Sequence, residues 1–187
     1  MPARCEKAPG LRAQLRAATQ SDHQSLDDML GSLDLADRHD YIRFLDVQLR
    51  ARLGVEQWLF QHCPYEWLPP SQITLLRRDL EWLGHTVAEG SAPAFVAPAV
   101  SPSAWLGAAW VLAGSSLGNK MMERELAPRV APSWPMAFVR DEAMPRYFKA
   151  LRPLLESNQQ DLPAEWAARA VFGHFNSICG ERLAVHA

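Results

Sequence analysis

The stretch Trp105–Met122, WLGAAWVLAGSSLGNKMM, sets the tightest limit on what this chain can become. It is apolar from Trp105 to Leu117, contains no proline, and has unusually small residues at its centre. Gly107, Val111, Gly114 and Gly118 recur at spacings of four, three and four, which places them on one face of a helix. A glycine inside a helix costs roughly 1 kcal/mol against alanine. Three on one face therefore imply that something comes close to the backbone there: a second helix or a flat ligand. The apolar run is shorter than the ~20 residues a bilayer requires, and Asn119-Lys120 closes it. A membrane span is not expected.

The rest of the chain reads as helices around this one. Leu11, Leu15, Ala18, Leu26, Met29 and Leu30 predict a helix from Leu11 that stops at Gly31. His23 lies in it, with Asp27 one turn later and Arg12 and Arg16 on the same face. A second helix is predicted from Asp34 to His62, with Asp37 as a cap and Gly54 marking a bend; a third runs from Ser71 to Glu89. Residues 91–102 read as a surface connector, and Ser103 is positioned to cap the glycine-bearing helix, which reaches Leu126. Pro128, Pro132 and Pro135 impose a loop. Phe138–Glu156 reads as helix interrupted at Pro145 and Pro153, and a last helix spans Ala164–Leu183. No period-2 strand of useful length occurs. The expected architecture is all-α, with a loose tail over residues 1–10 and one domain over 11–187.

Composition narrows the function classes. The 187 residues carry a formal net charge of −2, which gives no general attraction for nucleic acid or an anionic membrane. Cys5, Cys63 and Cys179 are far apart and without CxxC spacing, so reduced thiols and a cytoplasmic location are expected. No signal-peptide-like apolar core follows Met1. There is no HExxH, P-loop or GxGxxG, and no ExxH repeated on separate helices as a di-iron bundle needs. Ser115-Ser116 lack the strand–turn setting of a nucleophile elbow. His39, His62, His85, His174 and His186 show no metal-ligand arrangement. Met121 and Met122 read as core residues that fill packing gaps.

Two segments, LRAATQSDHQSLDDML (Leu15–Leu30) and GAAWVLAGSSLGNKMM (Gly107–Met122), resemble the heme oxygenase family, most closely its bacterial, bacteriophytochrome-associated branch. LLRRDLEWLG (Leu75–Gly84) between them is similar to the same branch. The resemblance implies heme held between a proximal and a distal helix, as both substrate and cofactor. His23 would be the axial iron ligand, with Asp27 on its other ring nitrogen. The family's carboxylate there is usually the longer glutamate. Gly114 and Gly118 would admit the porphyrin face.

Arg16, Lys149 and Lys120 would meet the propionates. With Arg16 and Lys149 setting the in-plane rotation of the heme, the expected product is the alpha isomer of biliverdin, beside carbon monoxide and ferrous iron. Dioxygen would be consumed, and a ferredoxin or flavoprotein would supply electrons as the external reductase; the biliverdin could serve a bacteriophytochrome. Departures from the pattern are Ser115, where animal enzymes place an aspartate, Ala113 in place of a glutamate, and Asn119 in place of a glycine or other small residue. Ser115 and Asn119 keep a second reading in play, a non-catalytic heme-binding protein for storage, sensing or transfer. A third keeps the fold without heme.

Overall fold

The computed structural model describes residues 10–88, 92–98, 101–157 and 159–184. Residues 1–9, most of the expected tail, lie outside that range, as do Cys5 and His186. Seven α-helices are present among the described residues, and no strand: α1 (Leu11–Ala18), α2 (Gln20–Leu30), α3 (Arg38–His62), α4 (Ile73–Trp82), α5 (Ala104–Leu126), α6 (Ala143–Ser157) and α7 (Leu162–Ala184). None is long and apolar enough to cross a membrane.

Several boundaries differ from the sequence expectation, each for a local reason. The first helix is split at Thr19 (φ −107°, ψ 5°), whose hydroxyl donates to the Leu15 carbonyl at 2.8 Å and competes with the regular ladder. α3 starts at Arg38 rather than Asp34, because the Asp37 carboxylate caps the amides of His39 and Asp40. α4 ends at Trp82, not near residue 89. Gly84 adopts φ +66°, and the amide of His85 reaches back to the Leu80 carbonyl at 2.9 Å, a left-handed helix stop. α6 begins at Ala143, where Asp141 caps the amides of Ala143 and Met144; Pro145 falls in its first turn and Pro153 is carried inside it. Ser103 occupies the N-cap position of α5, yet its side chain makes no capping bond.

The core has two main parts and a small third cluster of Ala113, Met144 and Phe148 between α5 and α6. The larger joins α1 through Leu11 and Leu15, one side of α3 (Val47, Ala51, Val55, Leu59), the first half of α5, and the buried side of α7. The second places Tyr41, Phe44 and Leu45 of α3 against Leu76 and Leu80 of α4 and Phe138 and Val139 of the segment before α6. Phe95 and Ala97 are buried in the larger part, so the described piece of the 91–102 connector is not simply a surface loop. α3 runs unbroken through Gly54. A Cβ there would stand 2.8 Å from the Pro93 carbonyl oxygen and 3.0 Å from the Phe95 amide, so the glycine admits that connector against the helix.

α5 lies across α7, α6 and α3. From Ala104 to Ala113 every residue except Trp110 is buried, whereas beyond Gly114 only Ser116, Asn119 and Leu126 are. The buried half is pinned at Gly107, where a Cβ would overlap the Ala164 carbonyl and lie 3.0 Å from the Ala168 nitrogen. At this glycine the close partner is a helix. Gly107→Ala must push α5 off the start of α7, and because both sides are backbone we expect a loss of about 3 kcal/mol. Urea denaturation of the variant measures it; a loss below about 1 kcal/mol would show that the helices can separate freely.

Candidate functional site

The second half of α5 faces open space. A Cβ on Gly114 would meet nothing within 4 Å, and one on Gly118 would meet only the terminal methyl of Met122 at 3.9 Å. The glycine stripe therefore divides: Gly107 serves packing, while Gly114 and Gly118 wall a cavity of about 790 Å³. That volume is in the range of small-molecule and cofactor sites.

The same cavity is lined by His23 and Asp27 of α2 and by Leu30, Leu33 and Leu35 at and after its end. Phe44 and Gln48 of α3 and Phe138 supply another wall. α2 contains no buried residue. It is held to α7 at its side, with the His23 ring 5.6 Å from that of Phe172 and the Asn176 amide donating to the Asp22 carbonyl at 3.3 Å. His23 Nδ1 is 2.8 Å from the Asp27 carboxylate, both side chains being more than half exposed. That pairing fixes the ring and leaves Nε2 as the nitrogen available to a ligand.

Ser115 and Asn119, both on the cavity wall, are committed to the protein. Ser115 Oγ donates to the Leu112 carbonyl at 2.8 Å and accepts from Arg52 Nη2 at 2.8 Å. Asn119 is buried and its Nδ2 donates to the Phe138 carbonyl at 3.3 Å. Phe138 is set in turn by Asp79, whose carboxylate accepts the amides of Ala137 and Phe138 at 3.0 and 2.8 Å. Burial pushes the Asp79 carboxyl above its usual range, against the lowering effect of those two amides.

His23, Asp27, Gly114, Ser115, Gly118 and Asn119 thus meet in one cavity. Arg16, Lys120 and Lys149 are exposed and stand outside its lining. Arg129 is the arginine or lysine found there among the described residues. It pairs with Asp34 through Nη2 at 2.7 and 2.9 Å. Met122 packs against the smaller core, but Met121 is 66% exposed and lines the cavity, so it is not the core residue expected. No group of three or more His, Cys, Asp or Glu able to hold a metal ion occurs among the described residues.

The most consequential residue that sequence reasoning missed is Arg52. Its side chain is completely buried, with its guanidinium 5.3 Å from the centroid of the Phe138 ring. Burial lowers its pKa to about 10, opposed by Glu56 and Asp141, so it remains protonated at neutral pH. A signal was available: Gln48, Arg52 and Glu56 follow at four-residue intervals, a polar stripe on an otherwise apolar helix.

No protein-family profile and no curated protein matches the chain by sequence. Among solved structures, the chain is similar to the NO- and CO-bound heme oxygenase of Neisseria meningitidis, at 19% identity and a TM-score of 0.61 over 95% of this chain and 94% of that one. The all-α heme oxygenase fold is therefore shared.

Because nothing opposes a methyl at either site, Gly114→Ala and Gly118→Ala should each stabilise the ligand-free protein by about 0.5–1 kcal/mol. Thermal unfolding checks this; a lowered midpoint would place a packing partner over the glycines.

Proposed function

We propose that the chain is a heme oxygenase, cleaving heme with dioxygen and externally supplied electrons to biliverdin, carbon monoxide and ferrous iron. The observation that supports the reading most is the division of the glycine stripe: Gly114 and Gly118 leave open space in the same cavity as a histidine whose Nδ1 is already held. The residues fit heme. The cavity has the volume, its apolar surface (Leu30, Leu33, Leu35, Phe44, Leu117, Phe138) suits a porphyrin edge, and His23 Nε2 is a suitable iron ligand.

Heme is the substrate in this reading and supplies the iron at which oxygen is reduced. The chain's own residues do the rest. His23 would bind the iron, and Asp27 would orient its ring and raise its basicity. Gly114 and Gly118 would let the α5 backbone approach the opposite face, where a bulkier side chain would occupy the oxygen site. Asn119 would hold that backbone through its bond to the Phe138 carbonyl, while the Ser115 hydroxyl stays within α5 on the Leu112 carbonyl. The apolar wall would exclude bulk water from the reacting edge.

A ferredoxin or flavoprotein is the proposed electron donor, and a bacteriophytochrome a proposed user of the product. The alpha isomer follows if Arg16 and Lys149 reach the propionates from outside the cavity lining. Contact with Arg129 instead would turn the ring and change the isomer, so chromatography of the product reports which cations are used.

The purified protein mixed with hemin should give a Soret band, and a reductant in air should replace it with biliverdin absorbance. His23→Ala should lose the axial-ligand signature and most turnover while retaining some hemin through burial. A stable complex that never bleaches would support heme storage, sensing or transfer, and no Soret shift would remove heme from the reading altogether.

A further inference from the structure

The buried arginine behind Ser115 has no role in the reading so far. Arg52 forms no ion pair within 4 Å among the described residues, and its Nε and Nη1 are buried without a hydrogen-bond partner. The carboxylates nearest in effect are committed elsewhere. Glu56 accepts the Gln72 amide at 3.2 Å. Asp141 accepts the amides of Ala143 and Met144 and the Gln72 side chain at 2.9, 3.1 and 2.6 Å. The direct contacts of the guanidinium are instead with the cavity wall, Ser115 Oγ at 2.8 Å and the Phe138 ring at 5.3 Å. Gln48, one turn before it on α3, also lines the cavity.

An ion fixed in a low-dielectric wall and not paired at contact distance projects its potential into the adjoining space. Leaving its N–H groups without acceptors costs stability. An aliphatic residue of similar volume would avoid that cost.

We propose that Arg52 is an electrostatic element of the site: it makes the Ser115 end of the cavity selective for a small anionic ligand over a neutral one. It acts through the wall, not by touching the ligand. The selected class is a small anion bound on the α5 side of the cavity. The inference rests on the heme reading, because the ligand needs an iron to bind.

The test uses the full chain loaded with hemin and two ferric ligands, azide as the anion and imidazole as the neutral probe. Arg52→Met should weaken azide roughly tenfold to a hundredfold, as expected for loss of one nearby charge at an effective dielectric near 20. Imidazole affinity should stay within about twofold. Arg52→Lys keeps the charge without the guanidinium fork, so it should retain most of the azide affinity. Glu56→Gln leaves Arg52 in place and removes an opposing carboxylate, so it should tighten azide several-fold and gives an independent reading if Arg52→Met does not fold.

A purely structural role for Arg52 would weaken both ligands together, and that result overturns the inference, as does unchanged azide affinity in both Arg52→Met and Glu56→Gln. Failure of the unmodified protein to bind hemin would be a different result: it would overturn the heme reading and this inference with it.

Discussion

The contact on which the rest depends is the meeting of Gly107 with the Ala164 carbonyl and the Ala168 nitrogen at the start of α7. It brings two backbones into van der Waals contact, which only the absence of a side chain permits. With its first half seated on α7, α5 has one course left. Its second half passes over the gap between α3 and α2, where no described helix fills the space above Gly114 and Gly118. One helix is thus a packing element for half its length and a cavity wall for the remainder. The change falls at Gly114, within a single unbroken ladder.

A second layer of restraint acts on that wall. Asp79 holds the backbone at Ala137 and Phe138, Phe138 accepts from Asn119, and Ser115 is bound to Arg52. The chain of contacts runs from α4 through the segment before α6 to α5, then back to α3. Glycines alone would leave the helix free to sag into the cavity. These polar bonds hold it at a set distance, and their directionality supplies a precision that apolar packing lacks.

Much of this was legible in the residues. The helical periods of α3, α5 and α7 followed from apolar spacing, and the glycine stripe announced a close approach. His23 with Asp27 one turn on was visible as a pair, and the structure makes it one. The stripe could not say by itself that its glycines serve two purposes, because spacing records a shared face and not what lies opposite each position. Helix ends were lost where one side chain or one dihedral angle decides them: Thr19 bonding back to Leu15, Gly84 in the left-handed region, Asp141 as a cap. Arg52 escaped because a basic residue on a long helix reads as solvated until the neighbouring segments close over it. Arg129 lay hidden for a related reason, since a proline-rich turn gives no helical phase from which to place it.

α2 is unlike its neighbours in having no buried residue, while Leu26, Met29 and Leu30 are only partly covered. The Thr19 break also separates it from α1, whose Leu11 and Leu15 are fully enclosed. A helix with so little apolar contact of its own has a small free energy of local opening, set apart from that of the whole domain. Whatever fills the cavity completes its missing side. By linkage, occupancy then acts as a structural member: backbone amides of α2 would exchange quickly with solvent in the empty protein and slowly in the filled one, with α7 and the first half of α5 little changed.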